Sequence, residues 1–306
     1  MIWPSPTSSF DLPPLPCRPA DLQACWSAGL RAGKPVTFTF ILSLFLLLTF
    51  PVGAADWPQY RGPNASGVDD SRPASVAWNL DTGENVRWRT PIPGLGHASP
   101  IVWGDRIYIA TAVSPGRAEL KVGLYGDIEP LTENEPHQWR LLALDRGTGD
   151  IVWNSLAHEG VPRSKRHPKA SPCNSTPATD GRHIVALMGS EGLFCFRTNG
   201  TLAWKKDLGP MDSGYFAVPS AQWGFASSPV LHEGRVLVVC DVQTNAFVAA
   251  YDLNDGRELW RTVRNDVPTW GTPAVIAGAD RTQVAINGWR ETAGYDFFTA
   301  RRLWTL

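Results

Sequence analysis

An all-β chain of repeated four-stranded antiparallel units, set radially, is the fold class this sequence predicts, and three observations predict it. The stretch ALDRGTGDIVW (143–153) returns as AYDLNDGRELW (250–260) and GYDFFTARRLW (294–304), with a degenerate copy FCFRTNGTLAW (194–204). A second repeated stretch precedes each copy and carries Ser or Thr before Pro, a short strand, a turn with Gly, Asp or Glu, and a β-branched strand. The composition agrees, because 14 Trp, 28 Gly and 26 Pro in 306 residues suit many short strands joined by tight turns rather than helices.

The first 55 residues differ from the rest. Residues 1–35 are Pro-rich and aperiodic, and read either as disordered or as an over-long gene start. In 36–55, the apolar run VTFTFILSLFLLLTF follows Arg31 and Lys34 and ends in PVGAAD, the parts of a secretory signal. The run is shorter than the ~20 residues that span a bilayer, so cleavage is favoured over an uncleaved anchor, with a periplasmic or extracellular location and no stable span afterwards. Residues 56–306 form the repeat domain, opened by the aromatic lead-in DWPQYRGPNASG (56–67). NVRWRTPIPG (85–94) follows and resembles the second half of the repeated hairpin, with Trp88 in the docking place. Lacking a partner in its own unit, this orphan strand can pair with the last unit in a closed ring, which would remove free sheet edges.

Each hairpin reads as strand, turn at Thr-Gly, Asp-Gly or Asn-Gly, and a strand ending in Trp; such turns tolerate positive φ. The Trp recurs in one slot, which predicts a docking residue between stacked units. The preceding elements begin HASP (97), NSTP (174), FASSP (225) and WGTP (270), and Pro is tolerated at a strand start because its missing N–H is not needed there. Pro100, Pro177, Pro229 and Pro273 are 77, 52 and 44 residues apart, and Trp88, Trp153, Trp204, Trp260 and Trp304 are 65, 51, 56 and 44 apart. The shortest steps have the length of a propeller blade, about 40–50 residues. The long first step is explained by a charged, Gly- and Pro-bearing insertion at 114–137, and a smaller insertion occupies 209–222.

The pattern A-x-D-x-x-T-G-x-x-x-W, here Ala143, Asp145, Thr148, Gly149 and Trp153, resembles the repeat of the pyrroloquinoline-quinone (PQQ)-type β-propellers, which include quinoprotein alcohol dehydrogenases and the outer-membrane assembly factor BamB. DWPQYRGP also resembles the start of secreted propellers of this group found in planctomycete-type bacteria. The resemblance implies rings of seven or eight blades. This chain supplies about four, so it is expected to be a partial arc from a truncated or split gene, with a four-bladed ring as the rival reading. Phe196 replaces the motif Asp in the second copy, and Ala300 replaces the turn Gly in the last.

A net charge of −1 argues against nucleic-acid binding. Of five Cys, Cys17 and Cys25 precede the repeat domain. Cys173, Cys195 and Cys240 show neither C-x-x-C nor zinc spacing and read as buried thiols. The family's quinone site, as the resemblance implies it, uses an adjacent Cys-Cys disulfide and Ca²⁺ held by Glu, Asn and Asp. No Cys-Cys pair is present and no Ca²⁺ ligand can be assigned, so no cofactor is expected, with PQQ and calcium as the alternative. His158, His167 and His183 lack metal spacing, Ser99 and Ser228 lack a G-x-S-x-G turn, and the basic run RSKRHPK (163–169) reads as a solvated loop. No catalytic or metal residue is assigned. In a propeller, residues just before each inner strand ring one mouth of the axis. Here these are His97 and Ser99, Asn174 and Ser175, Trp223 and Ser227, and Trp270 and Thr272. Polar groups beside Trp faces suit a protein, peptide or polysaccharide partner. The expected function is a non-catalytic secreted scaffold, with a role in envelope assembly as what the BamB resemblance implies; the alternative is a PQQ-dependent oxidoreductase.

Overall fold

The computed structural model describes residues 55–71, 73, 75–116 and 129–306, which belong to a compact unit spanning Pro51–Leu306. The proposed disordered start and all of the signal segment but Ala55 lie outside the described residues, as does half of the first insertion (117–128). Among the described residues, no helix is long and apolar enough to cross a membrane.

Four antiparallel sheets follow one another, each a meander of four sequential strands. The first holds β1 (Ile101–Trp103), β2 (Arg106–Val113), β3 (His137–Asp145) and β4 (Ile151–Gly160). The second holds β5 (Ala178–Thr179), β6 (His183–Leu187), β7 (Leu193–Arg197) and β8 (Leu202–Lys206). A short hairpin of β9 (Gly214–Tyr215) and β10 (Val218–Gln222) occupies the second insertion. The third sheet holds β11 (Val230–His232), β12 (Arg235–Cys240), β13 (Phe247–Asp252) and β14 (Glu258–Val263). The fourth holds β15 (Ala274–Ala277), β16 (Thr282–Asn287), β17 (Thr292–Asp296) and β18 (Arg302–Thr305). The inner strands β1, β5, β11 and β15 neighbour one another in that order, as the blades of a β-propeller do.

The middle strands are continuous apolar runs because both faces of each middle blade are covered. On β6, Ile184 and Ala186 join a core with Tyr108, Trp139 and Leu141 of the first blade. Val185 and Leu187, facing the other way, join Val236, Val238 and Tyr251 of the third. Leu237, Val239 and Ala250 then meet Val284, Ile286 and Tyr295 of the fourth. The period-two alternation of strand side chains thus sends successive residues into different inter-blade cores.

The repeated Trp docks each blade on the turn of the next. Trp88 Nε1 donates to Arg146 O at 3.0 Å, Trp153 to Thr198 O at 2.9 Å, Trp204 to Leu253 O at 2.9 Å and Trp260 to Phe297 O at 3.0 Å. Two residues later, Thr90 and Ser155 hydroxyls donate to Gly149 O and Gly200 O, each at 2.6 Å. The turn glycine serves two purposes. Gly149, Gly200 and Gly256 all have positive φ, and a Cβ on any of them would run into the docked indole. At the equivalent place Ala300 adopts φ 61, a left-handed conformation that is strained for a residue with a Cβ. The motif Asp holds the turn: Asp145 Oδ1 accepts the N–H groups of Thr148 and Gly147, which keep its carboxyl below the ordinary range. Within each hairpin the Trp lies opposite a small residue, Ala143, Cys195, Ala250 or Gly294, which leaves room for the ring.

One expectation is corrected. The second copy is one residue shorter at its turn, so Cys195 stands at the Ala position and Arg197, not Phe196, at the Asp position. The pairing that ring closure would need does not form among the described residues: residues 85–90 make no ladder with the last sheet, and Trp88 docks on the first blade's turn as Trp153, Trp204 and Trp260 dock on those that follow them.

Candidate functional site

The residues before each inner strand form a repeating structure. Ser99 N–H donates to Thr176 Oγ1 at 3.1 Å, Thr176 N–H to Ser228 Oγ at 3.0 Å, and Ser228 N–H to Thr272 Oγ1 at 3.1 Å. Each of these residues immediately precedes the strand-opening Pro of its blade. The run is open at both ends among the described residues, since Ser99 Oγ receives no such N–H and the N–H of Thr272 finds no acceptor.

These hydroxyls line one cavity of about 630 Å³. Three residues upstream of each Pro, the side chains of His97, Asn174, Ala226 and Trp270 line it too. The extended chain therefore turns alternate residues, the third and the first before Pro, toward the axis. Six sequence-predicted residues meet here: His97, Ser99, Asn174, Trp223, Trp270 and Thr272. Ser175 and Ser227 do not. They sit between the lining positions, are buried, and their Oγ atoms have no hydrogen-bond partner among the described residues. The residues that replace them, Thr176 and Ser228, are legible as the Ser or Thr directly before Pro.

The aromatic walls are braced. Trp270 is partly exposed at 36%, adopts φ 55, and is tied by Nε1 donating to Gly224 O at 2.7 Å. Behind its turn, the Thr269 hydroxyl donates to Asp241 Oδ2 at 3.0 Å, and Asp241 is held by Arg264 at 2.6 Å in a buried cluster with Asp266. Trp223 stacks flat on His167, ring centroids 4.2 Å apart at 6°. His167 Nδ1 accepts the N–H of Lys169, and burial followed by the Lys169 charge pushes its pKa down, so a neutral imidazole backs the indole.

Neither the lead-in nor the basic run is a bystander. Trp57 pairs with Val102 of β1, Thr179 N–H donates to Pro58 O at 2.8 Å, and the short 3₁₀ turn at Pro63–Ala65 reaches β15. The lead-in thus straps across the inner strands, and Tyr60 joins the cavity wall. In the basic run, expected as a solvated loop, Arg166 and His167 are buried, and the Arg166 guanidinium grips Glu133 at 2.7 and 3.0 Å. Lys169, also of this run, lines the cavity, as does Tyr215 of the β9–β10 hairpin. Among the described residues, no Asp or Glu lines it. Among the described residues, no group of three or more His, Cys, Asp or Glu is placed to hold a metal ion.

No curated protein matches the chain. Among solved structures, it is similar to the quinohemoprotein alcohol dehydrogenase ADHIIG from Pseudomonas putida HK5, at 13% identity and TM-score 0.45, over 83% of this chain and 40% of that one. A europium-containing methanol dehydrogenase gives 14% identity and TM-score 0.48, over 83% of this chain and 48% of that one. BamB from Moraxella catarrhalis gives 14% identity and TM-score 0.37, over 70% of this chain and 63% of that one. The chain spans less than half the length of either dehydrogenase. The family described as outer membrane protein assembly factor BamB matches residues 137–306, which hold three of the four hairpin Trp–turn contacts. This chain belongs to that PQQ-repeat, BamB-type family of β-propellers.

Proposed function

We propose that this chain is a non-catalytic, exported propeller that binds a ligand at the mouth of its blade axis and serves as a scaffold at the cell envelope. One observation carries the reading: the repeat brings neutral hydroxyls and two braced indoles onto a single cavity whose lining, among the described residues, includes no carboxylate. Such a lining offers contact area and hydrogen bonds, and among the described residues it presents no carboxylate to serve as a general base. Export rests on the apolar segment at 36–55 and its basic flank.

The alternative is a dehydrogenase using PQQ with calcium. Calcium takes six to eight oxygen ligands, carboxylates prominent among them. Among the described residues the cavity lining offers no carboxylate, and Cys173, Cys195 and Cys240 are separate, buried thiols, so the residues present do not fit that group.

Two assays test the proposal on the whole protein. Dye-linked oxidation of primary alcohols with added PQQ and calcium should stay at background; turnover that disappears in His97→Ala would refute the non-catalytic reading. Unfolded β-strand peptides and soluble cell-wall glycans are then titrated against tryptophan fluorescence. A saturable response abolished by Thr272→Arg, which fills the mouth, is expected; a response indifferent to that change would move the site elsewhere.

A further inference from the structure

We propose that the mouth cavity binds an uncharged saccharide, its ring faces laid on Trp223 and Trp270 and its hydroxyls read by the Ser and Thr residues before the strand-opening prolines. This inference rests on the mouth being the binding site, and it names the ligand class. Three observations favour a saccharide over a peptide or an ion.

The first is the state of the backbone. A peptide added as a strand needs free N–H and C=O groups on the wall. Here the N–H groups of Ser99, Thr176 and Ser228 are spent on the hydroxyl run, and that of His97 on Ser171 and Cys173. At these positions, Thr272 excepted, the backbone donors are taken and the side chains stay open to a ligand.

The second is what the hydroxyls still offer. Thr176, Ser228 and Thr272 each accept one backbone N–H, which leaves each oxygen a proton to donate and a second lone pair. No acceptor for these protons is found among the described residues, and all three line the cavity. A row of groups that both donate and accept, repeated at blade spacing, matches a ligand whose own groups do the same. Sugar hydroxyls do; carboxylates and ammonium groups do not.

The third is the aromatic wall. Trp223 is immobilised on His167 and Trp270 by Gly224, so their faces are presented at little entropic cost. Tyr60 and Tyr215 add further partly exposed rings. Flat apolar faces beside neutral polar groups suit the C–H face and hydroxyl rim of a pyranose. The volume, about 630 Å³, lies within the range of small-molecule sites.

The test is an array of neutral hexose and N-acetylhexosamine oligosaccharides, with uronate and sulfated glycans and extended peptides printed alongside, followed by calorimetry on the best neutral binder. At least one neutral oligosaccharide should bind. Trp223→Ala should weaken it by about tenfold or more, as loss of an aromatic anchor does. Ser99→Ala removes an exposed hydroxyl that braces no neighbouring blade and should weaken it about threefold, with the denaturation midpoint unchanged. If Trp223→Ala does not fold, Trp223→Leu and Ser99→Ala carry the test. Binding restricted to sulfated or uronate glycans would overturn the inference and point to Lys169. Peptide binding that responds to Ser99→Ala, without any saccharide binding, would overturn it while leaving the mouth as the site. Binding that ignores every mouth substitution would overturn both.

Discussion

Replacing Gly256 with Ala tests how the blades are joined. Gly256 has φ 71, and a Cβ built there lies 2.7 Å from Trp204 Cε3 and 2.8 Å from Cδ2. Real Cβ atoms do not approach a ring so closely, so Trp204 must withdraw from the turn. The cost has two parts. The left-handed backbone penalty for a residue with a Cβ is about 1–2 kcal/mol, offset by about 0.4–1 kcal/mol because Ala restricts the unfolded chain. Displacing Trp204 adds the loss of its 2.9 Å hydrogen bond to Leu253 O, about 1 kcal/mol, and part of the burial of the indole. A built-in control separates them. Gly234, in the turn between β11 and β12, has φ 69 and nothing within 4 Å of the same hypothetical Cβ. Gly234→Ala should therefore cost the backbone part alone, about 0.5–1 kcal/mol. Gly256→Ala should cost about 1–3 kcal/mol more. Equilibrium unfolding in guanidinium, followed by circular dichroism and compared at equal slopes, measures the difference. Equal losses, or a greater loss for Gly234→Ala, would refute the docking role of the repeated Trp.

Further outcomes follow from buried polar groups. Burial raises the Glu191 carboxyl above the ordinary range, against the opposing Arg163 N–H, with His158 Nε2 3.3 Å away. The native state thus holds this proton more tightly than the unfolded chain. The stability it contributes is full below the ordinary Glu pKa and is lost as pH rises through the raised folded value. Glu191→Gln, which keeps an oxygen for Arg163, should be more stable than the parent at neutral pH and converge with it below about pH 4; parallel curves would refute this. Arg264→Met strands Asp241 and Asp266, whose side chains are 2% and 1% exposed, and should cost about 3–5 kcal/mol; thermal melts showing under 1 kcal/mol would refute it. Burial pushes the Cys173 and Cys195 thiols up to about 12 and Cys240 in the same direction. A thiol alkylating agent at pH 8 should leave all three unlabelled until the protein is denatured, which peptide mass mapping checks.

The repeats were legible because their causes are local. A hairpin turn needs a residue that tolerates positive φ, an Asp to hold its N–H groups and a small residue across from the Trp, and these sit within about ten residues of one another. The run before each strand-opening Pro was equally visible, and it led to the cavity. What sequence could not show is which way each side chain turns. Ser175 and Thr176 are chemically near-identical neighbours, yet one points into a blade core and the other to the axis, because an extended chain reverses direction at every residue. The same one-residue sensitivity shifted the second copy of the repeat, where a shorter turn places Arg197 at the Asp position.

The sequence by itself determined the all-β class, the four-stranded blade, the Trp slot and the ring of residues from which the cavity is drawn. Only the tertiary structure decided that the lead-in straps the inner strands, that the basic run buries Arg166 and His167, and that His167 backs Trp223. The division has a physical reason. Turn and strand preferences act over a few bonds and are written in neighbouring residues. A cavity wall is assembled from residues more than 40 apart in the chain, such as Trp223 and Trp270, whose meeting depends on how whole blades stack.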